Sequence, residues 1–133
     1  MFRDKRGIAL LEFILLFPIL IGMILGTVNL AVLLNNHIVA SSAARTTGRT
    51  VAVSGNISEG IKMGQKILRA GGLVSLEGDV DVTRSGSRVK VEVTFKVPVI
   101  APGFSVLLGG KPWDDEIILK AKNSYYAEYL NFR

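Results

Sequence analysis

Residues 7–20 read GIALLEFILLFPIL, and Glu12 is the single charge in an apolar run that begins at Gly7 and ends near Leu34. A carboxylate placed in lipid costs roughly 2.5–3.5 kcal/mol or more, so this one needs a reason. From Phe13 to Leu34 there is no charge at all; Thr27 and Asn29 are the polar interruptions, with glycines at 22 and 26. A helix over those residues is ~33 Å long, enough to cross a hydrocarbon core of ~30 Å. A cleaved secretory signal has a shorter apolar region with a small-residue cleavage site beyond it. The run therefore reads as a retained membrane span. A buried helix in a soluble domain is the plainer alternative.

Charge gives the orientation. The first six residues, MFRDKR, carry Arg3, Lys5 and Arg6 against Asp4, and no further basic residue follows until Arg45. Basic residues stay cytoplasmic, which places the N-terminus inside and the rest of the chain outside. At 133 residues the chain has room for an anchor and one small domain. With no cysteine, an exported domain must rest on its own core. The net charge of +5 raises the question of nucleic acid. From Asn35 onward there are thirteen Lys or Arg and nine Asp or Glu, and nowhere a basic run. No aromatic residues interleave with clustered basic ones as a stacking surface requires, so no nucleic-acid partner is expected.

The helix is predicted to outlast the membrane. NNHIVASSAA, residues 35–44, lacks Gly and Pro, and ARTTGRTVAV continues to a break at Ser54-Gly55. Small residues at 40, 43, 44 and 48 recur at helical spacing and permit the close approach of another helix. Pro18 removes a bond to the Ile14 carbonyl, which predicts a kink near the cytoplasmic end. After the break, Asn56 with Glu59 resembles a capping box. Ile57, Ile61, Gly64 and Leu68 form one apolar face, and Gly71-Gly72 stops this second, amphipathic helix.

A sheet is predicted for that helix to pack on. In DVDVTRSGSRVKVEVTFKVPV the apolar residues alternate: Val80 and Val82, then Val89, Val91, Val93, Phe95 and Val97. TRSGS between them is a turn with Gly86 at its centre. The valines face a core; Asp81, Arg88, Lys90, Glu92 and Lys96 face water. Pro98 and Pro102 end the second strand and open the loop APGFSVLLGGKPWDD. Residues 117–125 supply a third strand, with a short helix as the alternative. The fold class is α+β: a long N-terminal helix, an amphipathic helix and a small antiparallel sheet.

Catalytic constellations are scarce. His37 is the sole histidine, so there is no histidine-based metal site, and without cysteine there is no thiol nucleophile. Asp114, Asp115 and Glu116 lack the spaced oxygen ligands of a calcium loop and read as a solvated turn. No Gly-rich segment follows a strand and opens a helix. Neither an enzyme nor a cofactor is expected. Gly22 and Gly26, in GMILG, form a GxxxG arrangement through which two membrane helices can meet, which allows self-association. The same spacing at Gly60 and Gly64 lies outside the membrane, where it says little.

Glu12 can be a snorkelling interfacial residue. Its setting points to something more specific. Basic residues immediately precede Gly7, and the glutamate is the fifth residue after that glycine. This resembles a type IV prepilin leader, in which a prepilin peptidase cuts after the glycine. The resemblance implies Ile8 as the first mature residue and Glu12 as the partner of the freed amine of a neighbouring subunit. Within that class, Glu12-Phe13 followed by Pro18, together with ASSAARTTGRTVAV after the span, resembles the TadE-like pseudopilins. Leu10-Leu11 stands where that family commonly has Val or Ala before the glutamate.

The resemblance implies a minor pilin or pseudopilin of a Tad-type pilus or related secretion apparatus. Its partners would be the prepilin peptidase, the assembly platform, other pilins and the lipid membrane. The expected organisation is a leader over 1–7, a transmembrane helix over 8–34, its extracytoplasmic continuation over 35–53 and an α+β domain over 56–133. The expected location is the cytoplasmic membrane, single-pass, and the pilus after assembly. The alternative is an uncleaved single-span protein that presents its outer domain as a binding or structural module.

Overall fold

The computed structural model describes residues 5–71, 78–101 and 103–127. The leader residues 1–4, Gly72 of the expected helix stop, Pro102 and the tail from 128 lie outside these described residues. Helix α1 runs from Lys5 to Ser54 and continues through Pro18. It ends where Gly55 takes a left-handed conformation, φ 71°, and its N–H donates to the Val51 carbonyl (2.9 Å). A glycine there carries no Cβ penalty, so the chain can turn back at once. Asn56 then caps α2 (Ile57–Gly71), its Oδ1 accepting the Glu59 N–H (3.3 Å). That is one half of the expected box; the Asn56 N–H donates instead to Ser54 Oγ (3.2 Å).

Strands β1 (Gly78–Ser85), β2 (Arg88–Pro98) and β3 (Glu116–Tyr126) form an antiparallel sheet in the order β1-β2-β3. Between β2 and β3 lies a short helix, α3 (Phe104–Leu107). The register Ser85↔Arg88 leaves Gly86 and Ser87 as a two-residue hairpin loop, with Gly86 at φ 60°. A positive φ at the first central position suits the right-handed twist of the strands. The third strand is present where the alternation was weakest. Ile117, Leu119, Ala121, Asn123 and Tyr125 face the helices, and Ile118, Lys120, Lys122 and Ser124 face outward.

On the covered face, Val80, Val89, Val91, Val93, Phe95 and Val97 are buried against α1 and α2. On the open face, Lys120 (2.7 Å) and Lys122 (3.3 Å) from β3 both reach the Glu92 carboxylate. Their hydrogen bonds, and then their positive charge, hold that carboxyl below its ordinary range.

The helix layer depends on small residues. Asn29, Val32, Asn36, Ala40, Ala43, Ala44, Thr47, Gly48, Val51 and Ala52 form one buried stripe along the outer half of α1, at helical spacing. Leu30, Leu34 and Ile38 remain exposed on another face. At Gly48 the neighbour is the sheet, not a helix: the Tyr125 ring of β3 lies against it. Helix α2 approaches through Gly60 and Gly64, both buried, so this GxxxG pair outside the membrane is a working helix contact. A Cβ on Gly60 would collide with the Val51 side chain, and one on Gly64 with the Thr47 hydroxyl. The lower end of the interface is closed by Asn29, 2% exposed, whose Oδ1 accepts the Ile100 N–H (2.8 Å) from the segment after β2.

Three expected outcomes follow. Gly64→Leu overpacks the junction of α1, α2 and β1 and should cost about 1–3 kcal/mol, lowering the thermal midpoint of the detergent-solubilised chain by circular dichroism. Gly22→Leu, where a Cβ meets nothing within 4 Å, should leave that midpoint unchanged. Asn29→Ala strands the Ile100 N–H at a cost of about 1–3 kcal/mol. Its signature is faster amide exchange at Ile100 with exchange at Val91 unchanged.

Candidate functional site: an uncovered apolar helix with one carboxylate

From Gly7 to Ile24 every residue of α1 is exposed; Leu25 and Gly26 are half-covered, and Asn29 is the first buried position. A helix over Gly7–Val28 is ~33 Å long, the thickness of a bilayer core. Apart from Glu12 and Thr27 its side chains are apolar, and α1 is the one helix among the described residues long and apolar enough to span. In water, each such side chain left uncovered forgoes ~1.5–3 kcal/mol. The segment is therefore built for lipid or for other apolar helices.

Gly7, Ile8, Glu12, Phe13, Pro18, Gly22 and Gly26 all fall on this segment, and none is brought against another element. Glu12 is exposed one turn beyond Ile8, and among the described residues no cation pairs with it. The Phe13 and Phe17 rings lie 5.8 Å apart, just before Pro18. Gly22 and Gly26 leave bare backbone on one face, since a Cβ at either would meet no atom within 4 Å. That face continues into the buried stripe, because Gly22, Asn29 and Asn36 are spaced by seven residues. Thr27 satisfies its hydroxyl within the helix by donating to the Met23 carbonyl (2.9 Å).

The remaining polar candidates have structural partners. His37 has its ring 6.4 Å from that of Phe95 on the central strand, β2. In the acidic cluster, Asp114 Oδ2 accepts the Lys111 N–H (2.7 Å) and Glu116 pairs with Lys96 (3.2 Å). Among the described residues no group of three His, Asp or Glu side chains is placed to hold a metal. Asn29 is the residue whose role the sequence did not disclose. It reads there as a polar interruption of the span, whereas its amide joins the helix to the outer domain. The usable signal was Asn36 seven residues on, followed by Ala40, Ala43 and Thr47, which together outline a buried face.

No curated protein and no solved structure matches the chain. Residues 7–49 match the family model described as TadE-like protein. The match begins at Gly7, spans the whole uncovered apolar segment and ends within the small-residue stripe. Residues 7–49 are thus similar to the TadE-like family, and among the described residues one helix, which contains most of that segment, is of membrane-spanning length.

Proposed function

We propose that this protein is a minor pilin or pseudopilin of a Tad-type pilus or related secretion apparatus. The observation that carries this reading is the lone Glu12 carboxylate on an otherwise apolar, uncovered helix, within the segment that matches the TadE-like family. In this reading a prepilin peptidase cuts after Gly7, and Ile8 becomes the first residue. Glu12 then lies one turn from a new α-amine. In an assembled bundle, the amine of one copy and the Glu12 of a neighbour neutralise each other in a low-dielectric setting. A buried charge whose only partner sits on another subunit makes association specific, since a mispaired copy leaves it uncompensated.

The basic residues before Gly7 keep the N-terminus cytoplasmic and the α+β domain outside. Before assembly, lipid covers the Gly7–Val28 surface; afterwards the helices of neighbouring subunits do. Gly22 and Gly26 supply bare backbone for one such close approach. The chain's role is mechanical rather than enzymatic, and its partners are the peptidase, the assembly platform and other pilins.

The N-terminus of the protein from its own host tests the first step, by intact mass and N-terminal peptide sequencing. A chain beginning at Ile8 is expected. One that keeps Met1-Phe2-Arg3 beside an active peptidase points to the uncleaved, anchored module instead. Glu12→Ala should express and insert normally. Breaking a buried pair costs about 3–5 kcal/mol, so its recovery in sheared filament fractions should fall more than about a hundredfold. Normal incorporation would overturn the intersubunit pairing.

A further inference from the structure

The segment between β2 and β3 buries the Ser105 side chain and leaves a group of apolar side chains exposed. The buried Ser105 hydroxyl donates to the Lys111 carbonyl, and the Gly110 N–H donates to the Ser105 carbonyl (2.8 Å). At the base of the loop the Val99 N–H donates to the Asp115 carbonyl (2.8 Å). The loop presents Val106, Leu107, Leu108 and Trp113 to the surroundings; Leu107 is 80% exposed and Trp113 89%. An apolar cluster of this kind on a small domain marks a contact surface.

Its position says what it contacts. Strand β2 runs antiparallel beside α1: Val91 lies at Gly48, and Ile100 is bonded to Asn29. The ~28 Å along the helix from Gly48 to Asn29 matches the ~30 Å along the strand from Val91 to Ile100. The loop therefore leaves the sheet at the end facing the uncovered helix, at the level where that helix stops being bare. An apolar helix surface of bilayer length ends at Val28, and an outward-turned apolar loop begins at the same height.

We infer that this loop docks into the outer headgroup region of the same bilayer that α1 crosses, with Trp113 and Leu107 inserted. Tryptophan favours that depth, where its ring is apolar and its N–H stays wet. The occupant is a lipid surface irrespective of lipid charge, because the loop sets Lys111 against Asp114 and Asp115. Together the helix and the loop fix the outer domain's tilt on the membrane at two points. The inference rests on α1 spanning the membrane, as in the function proposed above, but not on cleavage or on filament assembly.

Trp113 is the chain's one tryptophan, so its fluorescence reports on this loop alone. The full chain is reconstituted in phosphatidylcholine vesicles at low protein-to-lipid ratio, with and without phosphatidylglycerol, and insertion of α1 is scored by resistance to carbonate extraction. The expected result is a blue-shifted emission in both lipid mixtures, protected from iodide. Nitroxides near the headgroup should quench it several-fold more than nitroxides at the acyl-chain end. Leu107→Ser, at a position with little burial to lose, should move the emission toward that of indole in water. An inserted chain whose Trp113 emits as in water, open to iodide, overturns the docking while the span stands. A blue shift that appears only at high protein density, without lipid quenching, assigns the patch to a second copy and also overturns it. A chain stripped by carbonate overturns the span and the docking together.

Discussion

The hydrogen bond from the Ile100 N–H to Asn29 Oδ1 sits where one continuous helix changes its surroundings. Below it, α1 is bare from Gly7 to Ile24 and, over that stretch, apolar but for Glu12. Above it, one stripe is buried against α2 and the sheet while the other faces meet water. Each half solves a different problem with the same backbone. The inner half needs bulk apolar area with no partner inside its own chain. The outer half needs small side chains, because a helix that lies against a sheet and a second helix at once has little room between them. Ala40, Ala43, Ala44 and Gly48 provide that room. The polar atom that closes the junction satisfies the N–H of Ile100, just after β2, at a part-buried site.

Much of this architecture was legible from residue type and period. The sheet announced itself through strict alternation from Val89 to Val97, since a half-buried strand has no other way to pattern its faces. The break at Ser54-Gly55 and the Asn56 cap were readable because termini draw on a few residue types. The third strand was less plain: Ile118 and Tyr126 are apolar or aromatic yet point outward, which blurs the period of two. The role of Gly60 and Gly64 was hidden for a different reason. A pair of glycines four apart supports close helix contact in water as in lipid, and spacing alone does not say whether a partner exists. Here the partner was a helix of the same chain, placed by a turn at Gly55.

The candidate site divides in the same way. Glu12, Gly22 and Gly26 stand out because they violate an apolar background, so their visibility owes nothing to tertiary structure. Asn29 violates it too, but its meaning depends on Ile100, seventy-one residues away in sequence, which no local pattern encodes. Hydropathy likewise averages over the helix circumference. Val32, in the core, and Leu34, exposed, score alike although they lie on different faces, and only packing separates them.

The antiparallel alignment of β2 with α1 also has a mechanical consequence. A tension applied along the axis of α1 loads the interface in shear, so every contact from Asn29 to Val51 resists together rather than opening one after another. The turn at Gly55 returns the chain antiparallel to α1, so α2 braces the same axis instead of extending it. A tug on the N-terminal end is thus transmitted to the outer domain along one continuous helix.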